Sequence, residues 1–181
     1  MNRKTLIGVI GGVVVCVAGL AFAQTSQPDH SQDAAWHNQQ MLALAKLKGA
    51  DGWHAMEGGL RWRRVKGDGT GKHPTVNDVV TLHYAGTLID GTEFDSSYAR
   101  REPATFPLGG LIPAWQLAVP MMGVGDIIEI ASPPDLAYGP EGSGPIPGGA
   151  TLLFKIELLG IRSRPTARQD DTPPEAFNGT P

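Results

Sequence analysis

Two stretches of this chain carry the residue types from which a reaction site could be built. Residues 82–98 read LHYAGTLIDGTEFDSSY, and about forty residues on comes PPDLAYG followed by IPGGATLLFKIELL. Between them they supply Tyr84, Phe94, Asp95, Tyr138 and Phe154. Several aromatic side chains and one carboxylate, with no obvious nucleophile beside them, describe a concave apolar site that binds and reshapes a ligand. That chemistry is conformational, and bond cleavage is disfavoured. Other chemistries fail on spacing. Gly71-Lys72 has Lys66 where a phosphate-binding loop needs glycine and His73 where it needs Ser or Thr, so it reads as a hairpin turn. His30, His37, His54, His73 and His83 show no metal-ligand spacing, so no metal site is expected. A nucleophile elbow, G-x-S-x-G, is absent from the sequence.

These residues need elements to hold them. GLRWRRV, DVVTLHYAGTLI, GDIIEIAS and ATLLFKIELLGI have the β-branched or alternating character of strands, broken by DG, GTGKHP and PPD turn signals. Pro113 can open a short helix, AWQLAV continues it, and Pro120 stops it, with Trp115 and Val119 on one face. The expected fold is α+β: a curved antiparallel β-sheet wrapped around one short α-helix. A second, N-terminal helix is expected over Ala34 to Lys48, capped by Ser31 or Asp33 and stopped at Gly49. Its Trp36, Met41, Leu44 and Leu47 would pack on the same domain or on a second chain.

The ends read differently. Residues 1–23 have a basic start at Arg3 and Lys4, an apolar run from Leu6 to Leu20 and Ala21-Phe22-Ala23 before Gln24, the pattern of a signal peptide cleaved after Ala23. Such a segment implies an exported chain, held at a membrane only if the signal stays uncleaved. Cys16, the sole cysteine, lies inside it, so the remaining chain has no disulfide. Removing Arg3 and Lys4 takes the formal charge from −3 to −5, against nucleic-acid binding. The organisation expected is a signal at 1–23, an arm at 24–58, the main domain at 59–162 and a disordered tail at 163–181. The tail's Asn178-Gly179-Thr180 is a formal sequon in a segment where such matches arise by chance.

The strings VTLHYAGTLIDGTEFDSSY, PATFPL-GGLIPAW, PPDLAYG and IPGGATLLFKIELL, in that order over about a hundred residues, resemble the FKBP-type peptidyl-prolyl cis-trans isomerase family, and within it the exported, periplasmic bacterial branch of macrophage infectivity potentiator type. The resemblance implies a folding enzyme that acts on proline-containing polypeptides without a cofactor, and a pocket that accepts macrolides such as rapamycin or tacrolimus. By position it implies catalytic roles for Tyr84, Phe94, Asp95 and Tyr138, and substrate contacts from Arg100, Phe106, Leu111, Ile112, Trp115, Ile146 and Phe154. Trp115 would form the pocket floor, Arg100 would pair with Asp95, and the Tyr138 hydroxyl and Ile112 N–H would bond the substrate backbone. The larger helical domain of some members finds no room here, so a monomer is expected. Departures from the family pattern are Ala104, which leaves a pocket wall open, Ala114 before Trp115, Gly148-Gly149 in the loop over the site, and Ser132 at an apolar strand position.

On residue type alone Phe154 and Trp115 also suit an ordinary core, Asp95-Ser96-Ser97 a turn cap, and Arg100 a solvated charge. A passive holder of unfolded chains could use the same groove. It would not need the polar groups of Asp95 and Tyr138.

Overall fold

The computed structural model describes His30 and residues 32–163, so the signal segment, most of the tail and its sequon lie outside the described residues. The core of the molecule is a seven-stranded antiparallel sheet. Its strands are β1 (His54–Ala55), β2 (Arg61–Lys66), β3 (Val79–Leu88), β4 (Glu93–Ser96), β5 (Ala104–Pro107), β6 (Ile127–Ser132) and β7 (Leu152–Arg162). They run in the order β1-β2-β6-β7-β3-β4, with β5 also on β3. The two longest strands, β3 and β7, pair along their whole length. On its other side β3 is shared end to end: Val79 to Leu82 meet β5, and Ala85 to Thr87 meet β4.

Alternation fixes which face of the sheet is wet. Val80, Leu82 and Tyr84 of β3, Ile128 and Ile130 of β6, and Leu152, Phe154, Ile156 and Leu158 of β7 point to one buried side. Helix α3 (Pro113–Ala118) lies against that side, with Ala114, Trp115 and Ala118 buried. Pro113 opens it as the proline pattern requires, and Val119 follows in a short 3-10 turn, fully buried. Ser132 is also fully buried, and its hydroxyl is satisfied by donating to the Pro133 carbonyl at 3.0 Å.

Two expectations require correction. The segment around Gly71-Lys72 is no hairpin, because β2 pairs with β1 and β6 while β3 lies beyond β7. It is a crossing connection, anchored where Gly67 passes Asp126 too closely for any side chain. The N-terminal helix, α1, spans Ala34–Ala45 and ends before the lysines expected in its last turn. Asp33 caps it, accepting the Trp36 N–H at 2.9 Å. Of the four residues expected to pack, Trp36, Leu44 and Leu47 are half-buried and Trp36 lies against the core, but Met41 is 70% exposed and the polar Gln40, 3% exposed, takes the inward position. Apolar packing by Trp36 and hydrogen bonds from Trp36 and Gln40 together hold this helix on its own domain.

Candidate functional site

The concave side of the sheet opens, beside α3, into a cavity of about 210 Å³. Tyr84, Phe94, Asp95, Phe106, Leu111, Ile112, Trp115, Tyr138 and Phe154 line it. Every one of these was singled out from the sequence. Of the remaining two, Arg100 reaches the cavity's carboxylate without lining it, and Ile146 is buried in the core behind. Two larger grooves, of about 580 and 320 Å³, lie along α1 and beside Trp53 and Arg63; neither sets a tyrosine against a carboxylate.

The aromatic walls brace one another edge to face. Trp115, 5% exposed, meets Tyr84 at 5.3 Å and Phe154 at 5.4 Å between ring centres. Phe94 meets Phe154 at 5.7 Å. Edge-to-face pairs of this kind add about 0.5–1.5 kcal/mol each beyond the area they bury, so the cavity keeps its shape without a ligand. Leu111 and Ile112 arrive through the turn before α3. Ile112 sits at the residue preceding Pro113, where its N–H lies outside the helical hydrogen-bond ladder.

One side of the cavity is polar. The Tyr84 hydroxyl donates to the Asp95 carboxylate at 2.5 Å, and Arg100 pairs with the same carboxylate while its second guanidinium nitrogen donates to the Tyr84 hydroxyl at 2.9 Å. The three close a triangle. Partial burial works against the Asp95 charge, but the bonds from Tyr84 and Arg100 outweigh it and hold the carboxyl below its ordinary value. Burial first, and then the bond to Asp95, push the Tyr84 phenol up, against the opposing pull of Arg100. Both groups therefore keep one protonation state at neutral pH: a carboxylate and a phenol. Tyr138 is 40% exposed, with its ring in the cavity lining.

Two contributors were not foreseen. Ser97 is fully buried at the start of α2 (Ser97–Arg100), accepts the Tyr84 N–H at 2.7 Å and donates to the Tyr84 carbonyl at 3.2 Å, so one hydroxyl fixes the backbone from which the phenol projects. Gly86 sits under Phe94, where a β-carbon would come within 2.6 Å of that ring and 2.9 Å of Phe154. A glycine inside an alternating strand is the sequence signal for such close approach. The Asp95-Ser96-Ser97 turn reading holds as well, since Ser96 caps α2 by accepting the Ala99 N–H at 3.2 Å. Ala104 packs against the core and does not reach the cavity lining.

An antiparallel sheet curled over a single short helix, with an aromatic cavity between them, is the architecture of FKBP-like domains. FkpA from Escherichia coli aligns with a TM-score of 0.66 at 39% identity, over 76% of this chain and 62% of that one. A peptidyl-prolyl cis-trans isomerase from Pseudomonas syringae aligns with a TM-score of 0.65 at 32% identity, over 71% of this chain and 95% of that one. In sequence, FkpA of Aeromonas hydrophila is 47% identical over 74% of this chain and 48% of its own length. Mip of Coxiella burnetii is 43% identical over 67% of this chain and 53% of its own. Residues 70–159 match the family model for FKBP-type peptidyl-prolyl cis-trans isomerases. The chain belongs to that family. It spans about half the length of the curated relatives it matches.

Proposed function

We propose that this protein is a peptidyl-prolyl cis-trans isomerase acting on exported polypeptides. The observation that carries this is a preshaped aromatic cavity bordered by the Tyr84–Asp95–Arg100 triangle, with no Ser, Cys, Lys or His among its lining residues. An X-Pro bond isomerises through a twisted state in which amide resonance is lost, over an uncatalysed barrier of about 18–20 kcal/mol. The twisted amide has less charge separation than the planar one. A dry aromatic cavity therefore penalises the planar ground state more, while hydrogen bonds hold the flanking backbone in the shape that the twist requires. An acceleration of about 10⁴ to 10⁶ asks for only about 5–8 kcal/mol of such differential binding.

In this reading the prolyl ring enters over Trp115, between Tyr84, Phe94 and Phe154, all of which line the cavity. Asp95 keeps a fixed negative end beside the twisting bond, oriented by Tyr84 and Arg100. The Tyr138 hydroxyl and the Ile112 N–H bond the substrate backbone, and Phe106 and Leu111 wall the flanking side chains; Ile146 supports from behind. The same cavity takes rapamycin or tacrolimus as inhibitors. The periplasmic location rests on the expected signal segment together with relatives such as the outer membrane protein MIP of Legionella longbeachae. Among the described residues no helix is long and apolar enough to cross a membrane. We take the chain to act as a monomer.

The test is exchange NMR of cis-trans interconversion in a Leu-Pro peptide, comparing the chain with Asp95→Ala and Tyr138→Phe and with added rapamycin. Accelerated exchange, weakened in both variants and abolished by the drug, supports the enzyme. Binding of the peptide at an uncatalysed exchange rate would replace the enzyme by a passive holder.

A further inference from the structure

Helix α1 holds the loop that brings Tyr138 to the cavity, and it does so through polar contacts more than a hundred residues away in sequence. The Trp36 indole N–H donates to the Gly148 carbonyl at 3.1 Å. The Thr151 N–H donates to the Gln40 side-chain oxygen at 2.8 Å, and the Thr151 hydroxyl donates to the Gln40 carbonyl at 3.3 Å. Burying an amide costs free energy unless its bonds are recovered, and Gln40 is buried while Met41 and Leu42 beside it face outward. Packing alone would select the reverse. The loop accounts for the oxygen half of this amide, which accepts the Thr151 N–H, while its Nε2 is buried with no hydrogen-bond partner.

From the gripped residues the path to Tyr138 is short and made of backbone. The Gly149 N–H donates to the Gly139 carbonyl at 2.9 Å, and the Gly142 N–H to the Tyr138 carbonyl at 3.2 Å. A β-carbon on Gly148 would lie 2.0 Å from the Pro140 carbonyl oxygen, so the two limbs of the loop touch backbone to backbone. Gly149 has φ +70°, and a β-carbon there would come within 3.0 Å of the His37 ring, so α1 is seated directly on the loop's base. A displacement of Gly148 and Gly149 is passed to residues 139 and 140, next to Tyr138, through these contacts.

We propose that Gln40 and Trp36 are positioning residues for the prolyl site: by fixing residues 148–151 they hold Tyr138 over the cavity, so a helix outside the family-matched segment 70–159 sets substrate affinity. The proposal rests on the isomerase reading above. Tyr138 must be in place in the substrate complex and in the transition state alike. Loss of the clamp therefore raises KM and leaves kcat nearly unchanged.

The experiment uses the full chain with Gln40→Met and Trp36→Phe, which keep bulk and remove one bonding group each, and Gln39→Met as the control. Peptide isomerisation is followed at low temperature, where uncatalysed exchange is slow. Each variant is expected to raise KM for a Leu-Pro peptide about fivefold, the worth of one neutral hydrogen bond, with kcat within about twofold. The amides of Tyr138, Gly139 and Gly149 should shift and broaden in ¹⁵N spectra while those of β3 stay fixed. A role confined to stability gives the opposite pattern, a lower melting point and fewer active molecules at unchanged KM, and would overturn the proposal. If the parent chain does not accelerate the peptide at all, the isomerase reading fails and the spectra still decide: altered amides at 138–149 uphold the clamp, and unaltered ones sink it.

Discussion

Replacing Gly86 by alanine should cripple the site through a single ring. The added β-carbon would lie 2.6 and 2.7 Å from two atoms of Phe94 and 2.9 Å from one of Phe154. Carbon contacts are comfortable at about 3.5–4.0 Å, so a displacement of about 1 Å is required. Gly86 lies in β3 and its φ is not in the left-handed region, so the backbone accepts a side chain and the whole effect is steric. Phe154 is 5% exposed and wedged edge-on against Trp115; Phe94 is only half-buried and must yield. Overpacking of this kind costs about 1–3 kcal/mol, partly offset by the roughly 0.5–1 kcal/mol that alanine gains over glycine inside a strand. Stability should therefore fall by about 1–2 kcal/mol. The catalytic loss is larger in consequence, because Phe94 leaves the cavity wall: kcat/KM for a proline peptide should drop about tenfold, or about 1.4 kcal/mol. The decisive assay is a double-mutant cycle with Phe94→Leu, read by isomerisation kinetics and rapamycin affinity. Once Phe94 is shortened, Gly86→Ala should cost clearly less than it does alone, with only the 2.9 Å approach to Phe154 left to relieve. An undiminished tenfold loss in the Phe94→Leu background would refute the argument, and so would a Gly86→Ala protein with full activity.

Asp95→Ala should lower kcat/KM by about tenfold while leaving the fold intact, since its side chain is 42% exposed. Its carboxyl is held below the ordinary value of 3.8, so the stability it contributes is present above that pH and is lost as pH falls below it. Activity should then be level from about pH 5 to 8, and an inflection within that range which disappears in Asp95→Asn would contradict the triangle. Tyr98 stacks on His83 at 4.6 Å and donates to Glu157 at 2.9 Å; burial first, then Glu157, push its phenol up to about 12. Its contribution to stability is present below the unfolded value of 10.0 and is lost as pH rises toward 12, so an absorbance titration should show a late component, shared with Tyr84, that shrinks by one tyrosine in Tyr98→Phe. Asp126 is 4% exposed, pairs with Arg64 and accepts the Gly123 N–H at 2.9 Å. Asp126→Ala should cost about 3 kcal/mol in denaturant unfolding with KM unchanged, because it takes the carboxylate from a partly buried guanidinium and from the buried Gly123 N–H, none of which lines the cavity. A loss below about 0.5 kcal/mol would place that pair among the inconsequential surface bridges.

The part of this fold that is legible in the sequence is set apart from the rest by a physical line. The long strands β3 and β7 announce themselves by alternation over ten and eleven residues, and β2 and β6 by their β-branched or apolar character. The two-residue β1 and four-residue β4 and β5 are too short to show a period, and they exist because a longer neighbour offers them a ladder. The cavity residues were legible for a similar reason. Aromatic side chains and a turn carboxylate have few places to go on a strand with one wet face, and the ordered strings narrow those places to one. Ser97 and Gly86 escaped notice because their roles are relational: a hydroxyl that braces Tyr84, and a missing β-carbon that admits Phe94, mean nothing until both partners are placed. The failure at α1 is the most instructive. Amphipathic reasoning assumes that a helix docks by burying oil; it nominated Trp36, Leu44 and Leu47, which are half-buried, but also Met41, which is exposed, and passed over Gln40. That assumption breaks where the docking surface is itself exposed backbone, as at Gly148 and Thr151, whose N–H and C=O groups must be paired by something once water is excluded. Gln40, buried on a short helix, is thus matched to backbone in a distant loop, and because Tyr138 of the cavity lining rides that loop, the match leads toward the cavity.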